Sequence, residues 1–315
     1  MTLSQLRTLL AVADTGSVRG AAERLVVSQP AVSGAIRALE KELGVTLVAR
    51  QGRGLRMTAA GLAFAEGARR SLGLLDASVR TARSLETPER GSVRLFSVTT
   101  AAEHVLLPLL TEFRRDHPDV EVSLNVGNRT SVWASLRDHE TDLVVAGRPP
   151  VTVPARVLAV APNRLVVVAS ADMARRLHAS GDGRLLGSVT WLLREQGSGT
   201  REATEALLAE LDISPPTMML GSNGAIEQGV AAGLGIALVS HDAVSQRIAE
   251  GSIEVLECPG TPLDRPWHLV DHAREPLSAT ATRLARELVA RGPFVATREG
   301  RAMFSERRPR ARQLT

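Results

Sequence analysis

The stretch between Gly16 and Gly44 constrains the fold of this chain more tightly than any other. Ahead of it Leu3, Leu6, Leu10 and Ala13 recur at helical spacing, and Gly16 stops that first helix. Ser17 stands as an N-cap before VRGAAERLV, where Ala21, Ala22 and Leu25 form a small apolar face that another helix can approach closely. Ser28 is a second N-cap, and Pro30 falls in the first turn, where a missing N–H costs nothing. The third helix turns Val32, Ile36, Leu39 and Leu43 inward and ends at Gly44. Gln29, Ser33 and Arg37, spaced i, i+4, i+8, lie on the opposite, outward face. Two helices joined by so short a turn, the second presenting short polar and cationic groups near its N-terminus, describe a helix-turn-helix over about residues 18–37. Gln and Arg can bond base edges bidentately, while Ser hydroxyls and helix N-termini suit phosphates. VTLVARQGRGLRMT then reads as two short strands around Gln51–Gly54, a basic wing carrying Arg50, Arg53 and Arg56.

Charge supports a polyanionic partner at this end. Residues 1–60 hold eight Lys and Arg against four Asp and Glu, and residues 298–315 hold six Arg against two Glu. The span between is mildly acidic, with 24 basic against 28 acidic residues. Cys258 is the single cysteine, which excludes an intramolecular disulfide and any Cys-cluster metal site. The N-terminus is too polar and periodic for a secretory signal, and no stretch approaches a membrane span, so the expected location is the cytoplasm, without membrane contact.

The run GSVRGAAERLVVSQPAVSGAIRALEKELGVTLVARQGRGLRMTAAG resembles the LysR-type helix-turn-helix almost from end to end. Ser28-Gln29-Pro30-Ala31-Val32-Ser33 and the segment from Leu39-Glu40 to Gly44 match its strongest positions. The resemblance implies that Gln29, Pro30, Ser33 and Arg37 enter the major groove and that Arg50, Arg53 and Arg56 line the wing, with Ser28 also among the DNA-binding residues. Two positions depart from the pattern: Val48 replaces the usual Phe, and Gly34 a larger side chain. The competing reading is a plain three-helix bundle without DNA contact.

Thr58 caps a long helix that ends before Pro88. Ala68, Leu72, Leu75, Val79 and Ala82 alternate four and three apart along it, the seam of a coiled coil, so pairing with a second copy is expected. The family resemblance implies the same role, and the alternative is packing on the chain's own C-terminal domain. From Gly91 strands and helices alternate, arguing a mostly parallel sheet with covering helices. The expected fold class is α/β: an α-rich winged helix-turn-helix (1–58), a linker helix (59–87), and a periplasmic-binding-protein-like effector domain (91–297) of two α/β subdomains. The subdomains take residues 91–160 with 266–297, and 161–265, and residues 298–315 form a basic disordered tail.

Ligands of such folds bind outside the carboxyl ends of the strands. Thr99 and Thr100 open one helix there, Asn128 precedes another, and Ser198, Gly199, Thr200 and Arg201 start a third, with Asn223 at a fourth. Free N–H groups at helix N-termini, hydroxyl donors and Arg201 suit an anion, against the ordinary reading of Ser, Thr and Asn as caps. LREQGSGTR and SNGAIEQGVAAGLGIALVS are similar to the CbbR-like branch of the family, which implies a phosphorylated sugar or central metabolite as effector. No cofactor, metal site or catalytic set is visible: the seven histidines show no metal spacing and GSGT is not a nucleophile elbow, so an enzyme is not expected. The expectation is a LysR-type regulator, a homodimer or homotetramer on an interrupted palindrome of double-stranded DNA, controlled by a small anionic co-inducer, with RNA polymerase a candidate partner. The alternative is a receptor-type small-molecule binding protein without DNA function.

Overall fold

The computed structural model describes residues 1–51, 54–86, 90–180 and 186–305, with the side chains at 50, 51, 54, 179 and 180 outside that description. The chain divides into two compact units, Met1–Val79 with Asp138–Glu140, and the remainder of the described residues from Arg80.

In the first unit, α1 (Leu3–Thr15) starts with a reciprocal cap between Thr2 and Gln5 and stops at Gly16, φ +66°. Ser17 accepts the Gly20 N–H to open α2 (Val18–Leu25), and Ser28 accepts that of Ala31 to open α3 (Gln29–Leu43). Leu9, Val12, Ala21, Ala22, Val32, Ile36, Leu39 and Leu47 close one core between the three helices. The Glu40 carboxylate fixes the exit from α3, accepting the N–H groups of Leu47 at 2.7 Å and Val48 at 3.1 Å. There β1 (Val48–Gln51) pairs antiparallel with β2 (Gly54–Met57) as the wing. Thr58 caps α4 (Ala59–Glu86), which crosses the Leu47 carbonyl so closely that a Cβ at Gly61 would lie 2.0 Å from its oxygen. The expected seam on α4 is divided: Ala68 and Leu72 are covered by Leu6 of α1, while Leu75 and Val79 stay 41% and 42% exposed.

The second unit holds two larger sheets and one of two strands. The first is built from β3 (Ser92–Val98), the short turn α5 (Thr99–Ala101) leading through a π-turn into α6 (Leu107–Asp116), β4 (Glu121–Gly127), α7 (Arg129–Arg137), β5 (Leu143–Ala146) and β6 (Ala155–Ala161). The chain then crosses at Pro162–Asn163 into the second half: β7 (Arg164–Ser170), α8 (Ala171–Ser180), β8 (Trp191–Leu193), α9 (Gly199–Glu210), β9 (Thr217–Met219), α10 (Asn223–Ala231), β10 (Ala237–Ser240), α11 (His241–Ala249), β11 (Ile253–Val255) and β12 (Leu263–Asp264). It returns at Arg265–Pro266 into β13 (Trp267–His272), α12 (Ala279–Arg291), β14 (Val295–Ala296) and α13 (Arg298–Ser305). The first sheet runs β14-β6-β13-β5-β3-β4, and the second β10-β7-β11 with β12 also on β7. A parallel pair, β8 and β9, stands beside β10 through a bridge between Trp191 and Ile236. Every residue of β7 from Leu165 to Ser170 is buried, because apolar cores lie on both its faces.

Two expectations are corrected. The sheets are not mostly parallel: β3 pairs parallel with β4 and β5, but β13 and β14 run antiparallel to their neighbours, and so do all partners of β7. The return of the chain through β13, and the two-residue crossover from β6 to β7, replace helical crossovers and reverse strand direction. The basic tail does not begin at 298, since residues 298–305 form α13. Gly300 presses on the β6 backbone, Thr297 caps the helix through the Gly300 N–H, and Met303 and Phe304 join the first sheet's core. The rest of the expected tail, 306–315, lies outside the described residues.

Candidate functional site

The outward face of α3 carries what the sequence placed there. Gln29, Pro30 and Arg37 are exposed, Ser33 half-buried, and all four line one shallow groove with Val18. The Ser28 hydroxyl is engaged as a cap. The cations of this unit divide in two: Arg24 and Arg69 are both bound to Asp14, and Arg19 to Glu23, whereas Arg37 and Arg56 are exposed and form no ion pair among the described residues. Unneutralised guanidinium groups beside a polar groove are suited to a polyanion. Arg50 belongs to β1 by its backbone, its side chain lies outside the description, and Arg53 lies outside the described residues altogether.

In the second unit a cleft lies between the two larger sheets. It is walled by Thr99, Thr100, Asn128, Ser198, Gly199, Thr200 and Asn223, seven of the eight positions expected for an anion site. Four helix starts bring them together, those of α5, α7, α9 and α10. Asn128 and Ser222 are caps in the ordinary sense, accepting the N–H groups of Ser131 and Ala225. Ser198 is different: it sits at the N-cap of α9, is only 4% exposed, and makes no side-chain capping bond. Thr99 and Thr100 open α5 without a capping side chain before them. Across the cleft Asn223 Nδ2 donates to Thr100 Oγ1 at 2.7 Å, and the Thr130 N–H donates to the Gly197 carbonyl at 3.3 Å. Gly197 has φ +81°, and a Cβ there would stand 2.8 Å from Thr130 Oγ1, so glycine is required for this approach.

Arg201 does not line the cleft. Its Nε donates to Glu205 one turn on at 2.7 Å and its Nη1 to the Arg194 carbonyl. The cleft's guanidinium groups come instead from Arg129, Arg194 and Arg265, none of which the sequence singled out. Arg194 is held by both oxygens of Glu195, and Arg129 by the Arg148 carbonyl. Arg265 forms no ion pair among the described residues. It sits on the returning crossover, where its N–H donates to the Asn163 carbonyl at 2.9 Å and its own carbonyl accepts Asn163 Nδ2 at 2.8 Å. Asn163 Oδ1 accepts the Ser240 hydroxyl, so this buried amide ties both crossovers to β10. Burial pushes the Glu227 carboxyl, beside Asn223 in an adjoining recess, above the ordinary carboxylate range, despite Arg247 and His104 nearby. Among the described residues no His, Cys, Asp and Glu cluster could hold a metal, and no helix is long and apolar enough to cross a membrane.

Comparison with known proteins places both units. Residues 3–62 match the description "Bacterial regulatory helix-turn-helix protein, lysR family", and residues 86–293 match "LysR substrate binding domain". The HTH-type transcriptional regulator CbbR of Xanthobacter flavus is 35% identical over 272 residues, covering 84% of this chain and 80% of that protein. The regulatory domain of CcmR from Synechocystis PCC6803, solved in complex with 2-PG, is 29% identical with a TM-score of 0.58, over 63% of this chain and 96% of that one. Full-length CbnR, a structure in complex with its target DNA, shares the fold at 24% identity and a TM-score of 0.62, over 92% of this chain and 99% of that one.

Proposed function

The chain belongs to the LysR family of DNA-binding transcriptional regulators, and on that premise we propose that a small anion in the cleft of its effector domain controls how the helix-turn-helix engages DNA. The observation that carries the effector half is the convergence of four helix starts on one cleft, at one of which Ser198 is buried and makes no side-chain capping bond. Helix N-termini supply partial positive charge and unshared donors, Thr99, Thr100 and Thr200 add hydroxyls, and Arg265 adds an uncompensated cation. A phosphate or carboxylate matches that set better than any neutral group. The relative CcmR binds 2-PG in its regulatory domain, which makes 2-PG the natural first probe.

For the DNA half, α3 enters the major groove. Gln29, Pro30, Ser33 and Arg37 lie in that groove, Gln29 and Arg37 suited to base edges and the Ser28 and Ser33 hydroxyls to phosphates, and Arg50, Arg53 and Arg56 follow from the wing. The working division is 1–58 for the DNA-binding domain, 59–87 for the linker, and 91 to at least 305 for the effector domain. Exposed Leu75 and Val79 on α4 support pairing with a second copy, so that two recognition helices meet an interrupted palindrome. A receptor without DNA function has no use for the exposed, unpaired Arg37 and Arg56 or for a lysR helix-turn-helix over residues 3–62.

The test joins both halves. Thermal-shift and calorimetric titration of the full chain with 2-PG, inorganic phosphate and a panel of anionic metabolites should find a ligand. That ligand should change the mobility of complexes with DNA from upstream of the chain's own gene. Thr100→Ala or Ser198→Ala should remove the ligand response and leave DNA binding intact. If both variants respond like the parent, the cleft is not the effector site.

A further inference from the structure

The positive groups of the cleft are unequally available to an incoming anion. Arg194 is closed off by Glu195, whose two oxygens bond its Nε at 2.7 Å and Nη2 at 3.0 Å. Arg129 lies against the first turn of α9, its Nε 3.6 Å from the Oε2 of Glu202. Gly199 permits that approach, since a Cβ there would stand 3.2 Å from Arg129 Cδ. Glu202 thus occupies two attractions that a bound anion would use. It neutralises Arg129, and it stands in the positive first turn of α9, whose entrance holds Ser198, a residue only 4% exposed that makes no side-chain capping bond. It is also free to leave: its side chain is 51% exposed and its oxygen is beyond hydrogen-bond distance of Arg129.

We propose that Glu202 is a built-in competitor of the effector, a carboxylate that sets how tightly the cleft holds an anion and discriminates against high negative charge. This rests on the anion reading of the cleft. A ligand seated between Ser198, Thr200 and Arg129 brings its charge towards Glu202, and each further charge on the ligand adds a like-charge repulsion. Swinging Glu202 into solvent relieves that repulsion and leaves the charge of Arg129, its Nη2 still bonded to the Arg148 carbonyl, uncompensated for the ligand. The residue therefore acts on specificity, and its loss strengthens binding instead of weakening it.

Calorimetric titration of the full chain and of Glu202→Gln with 2-PG, inorganic phosphate and sulfate tests this. One carboxylate charge at this range, partly screened, corresponds to about fivefold in affinity, so Glu202→Gln should bind 2-PG about fivefold more tightly. The salt dependence of that binding should steepen, because the cleft gains one net positive charge, a readout that a merely structural role would not move. Equal or weaker binding of 2-PG by the variant, with the parent binding normally, overturns the competitor role and leaves the anion site standing. If neither chain binds any of the three anions, the cleft is not an anion site and both readings fall together.

Discussion

Gly300 offers the sharpest test of how the C-terminal helix is attached. A Cβ built there would lie 1.9 Å from the Leu158 carbonyl oxygen and 2.8 Å from its carbon. The carbonyl cannot retreat, since it also accepts the Thr297 N–H at 2.9 Å and β6 is paired on both sides, by β13 and β14. An ordinary carbon–oxygen contact is roughly 3.3 Å, so Gly300→Ala must push α13 away by about 1.4 Å. That displacement loosens Met303 and Phe304 from the core, worth about 2 kcal/mol for two half-buried side chains. It also strains the cap between Thr297 and the Gly300 N–H, about 1 kcal/mol, while alanine's better helix propensity returns up to about 1 kcal/mol. The net cost is about 2 kcal/mol. Trp133, Trp191 and Trp267 are the three tryptophans, all lie in the second unit, and the chain has no tyrosine. Tryptophan fluorescence during urea unfolding therefore reports this unit alone. With a slope of about 2–3 kcal/mol per molar for a domain of this size, the midpoint should fall by roughly 0.7–1 M. A chain ending at Thr297 should fall at least as far. A shift below about 0.2 M in both would refute the packing argument and restore the dispensable tail that the arginine-rich sequence suggests.

Three further outcomes are expected. Arg156 bonds both oxygens of Asp271, which is 1% exposed and whose carboxyl burial pushes above its ordinary range. Arg156→Met should destabilise the effector unit by about 3 kcal/mol at pH 8, and less at pH 5, because protonation neutralises the stranded carboxylate as pH falls through its raised pKa; fluorescence-detected urea unfolding at the two pH values checks the sign. Glu40→Ala removes the acceptor for two backbone N–H groups at the entrance to the wing, so DNA affinity in a gel-shift should drop while ligand binding is unchanged, at a cost of about 2 kcal/mol in the first unit. Val26, in the turn between α2 and α3, is a β-branched residue at φ +56° and 90% exposed, so Val26→Asn should raise the melting temperature of the first unit, a rise that circular dichroism would detect and that unstrained backbone would not give.

The first unit was legible because its signals are local. Ser17 and Ser28 cap, Gly16 and Gly44 stop, and the apolar face of α3 is spaced as a helix, so each residue's role follows from neighbours within four positions. The cleft was legible only as helix starts. Arg129, Arg194 and Arg265 come from three separate segments and meet through the fold, which no spacing encodes. Arg201 was misplaced although the sequence held the warning, a glutamate four residues on at the distance of one helical turn. The α13 helix was hidden by its own arginines: Gly300, Met303 and Phe304 make one inward stripe in eight residues, too short a pattern to stand out against basic composition. Strand direction depends on how the chain returns between the halves, and alternation of strands and helices carries no trace of it.

The bonded pair of crossovers at Asn163 and Arg265 has a pharmacological consequence. Two chain segments tied to each other by Asn163 would act as a single pivot in any rotation of one half against the other, and groups on a pivot keep their place in such a motion. Arg265 is on that pivot, whereas Thr100 and Ser198 ride on opposite halves. A ligand shifts a conformational balance only through contacts that differ between the states. Losing Arg265 should therefore move the midpoint of a dose–response curve and leave its height, whereas losing Ser198 should abolish the response. Potency and efficacy would then reside in different residues of the same cleft.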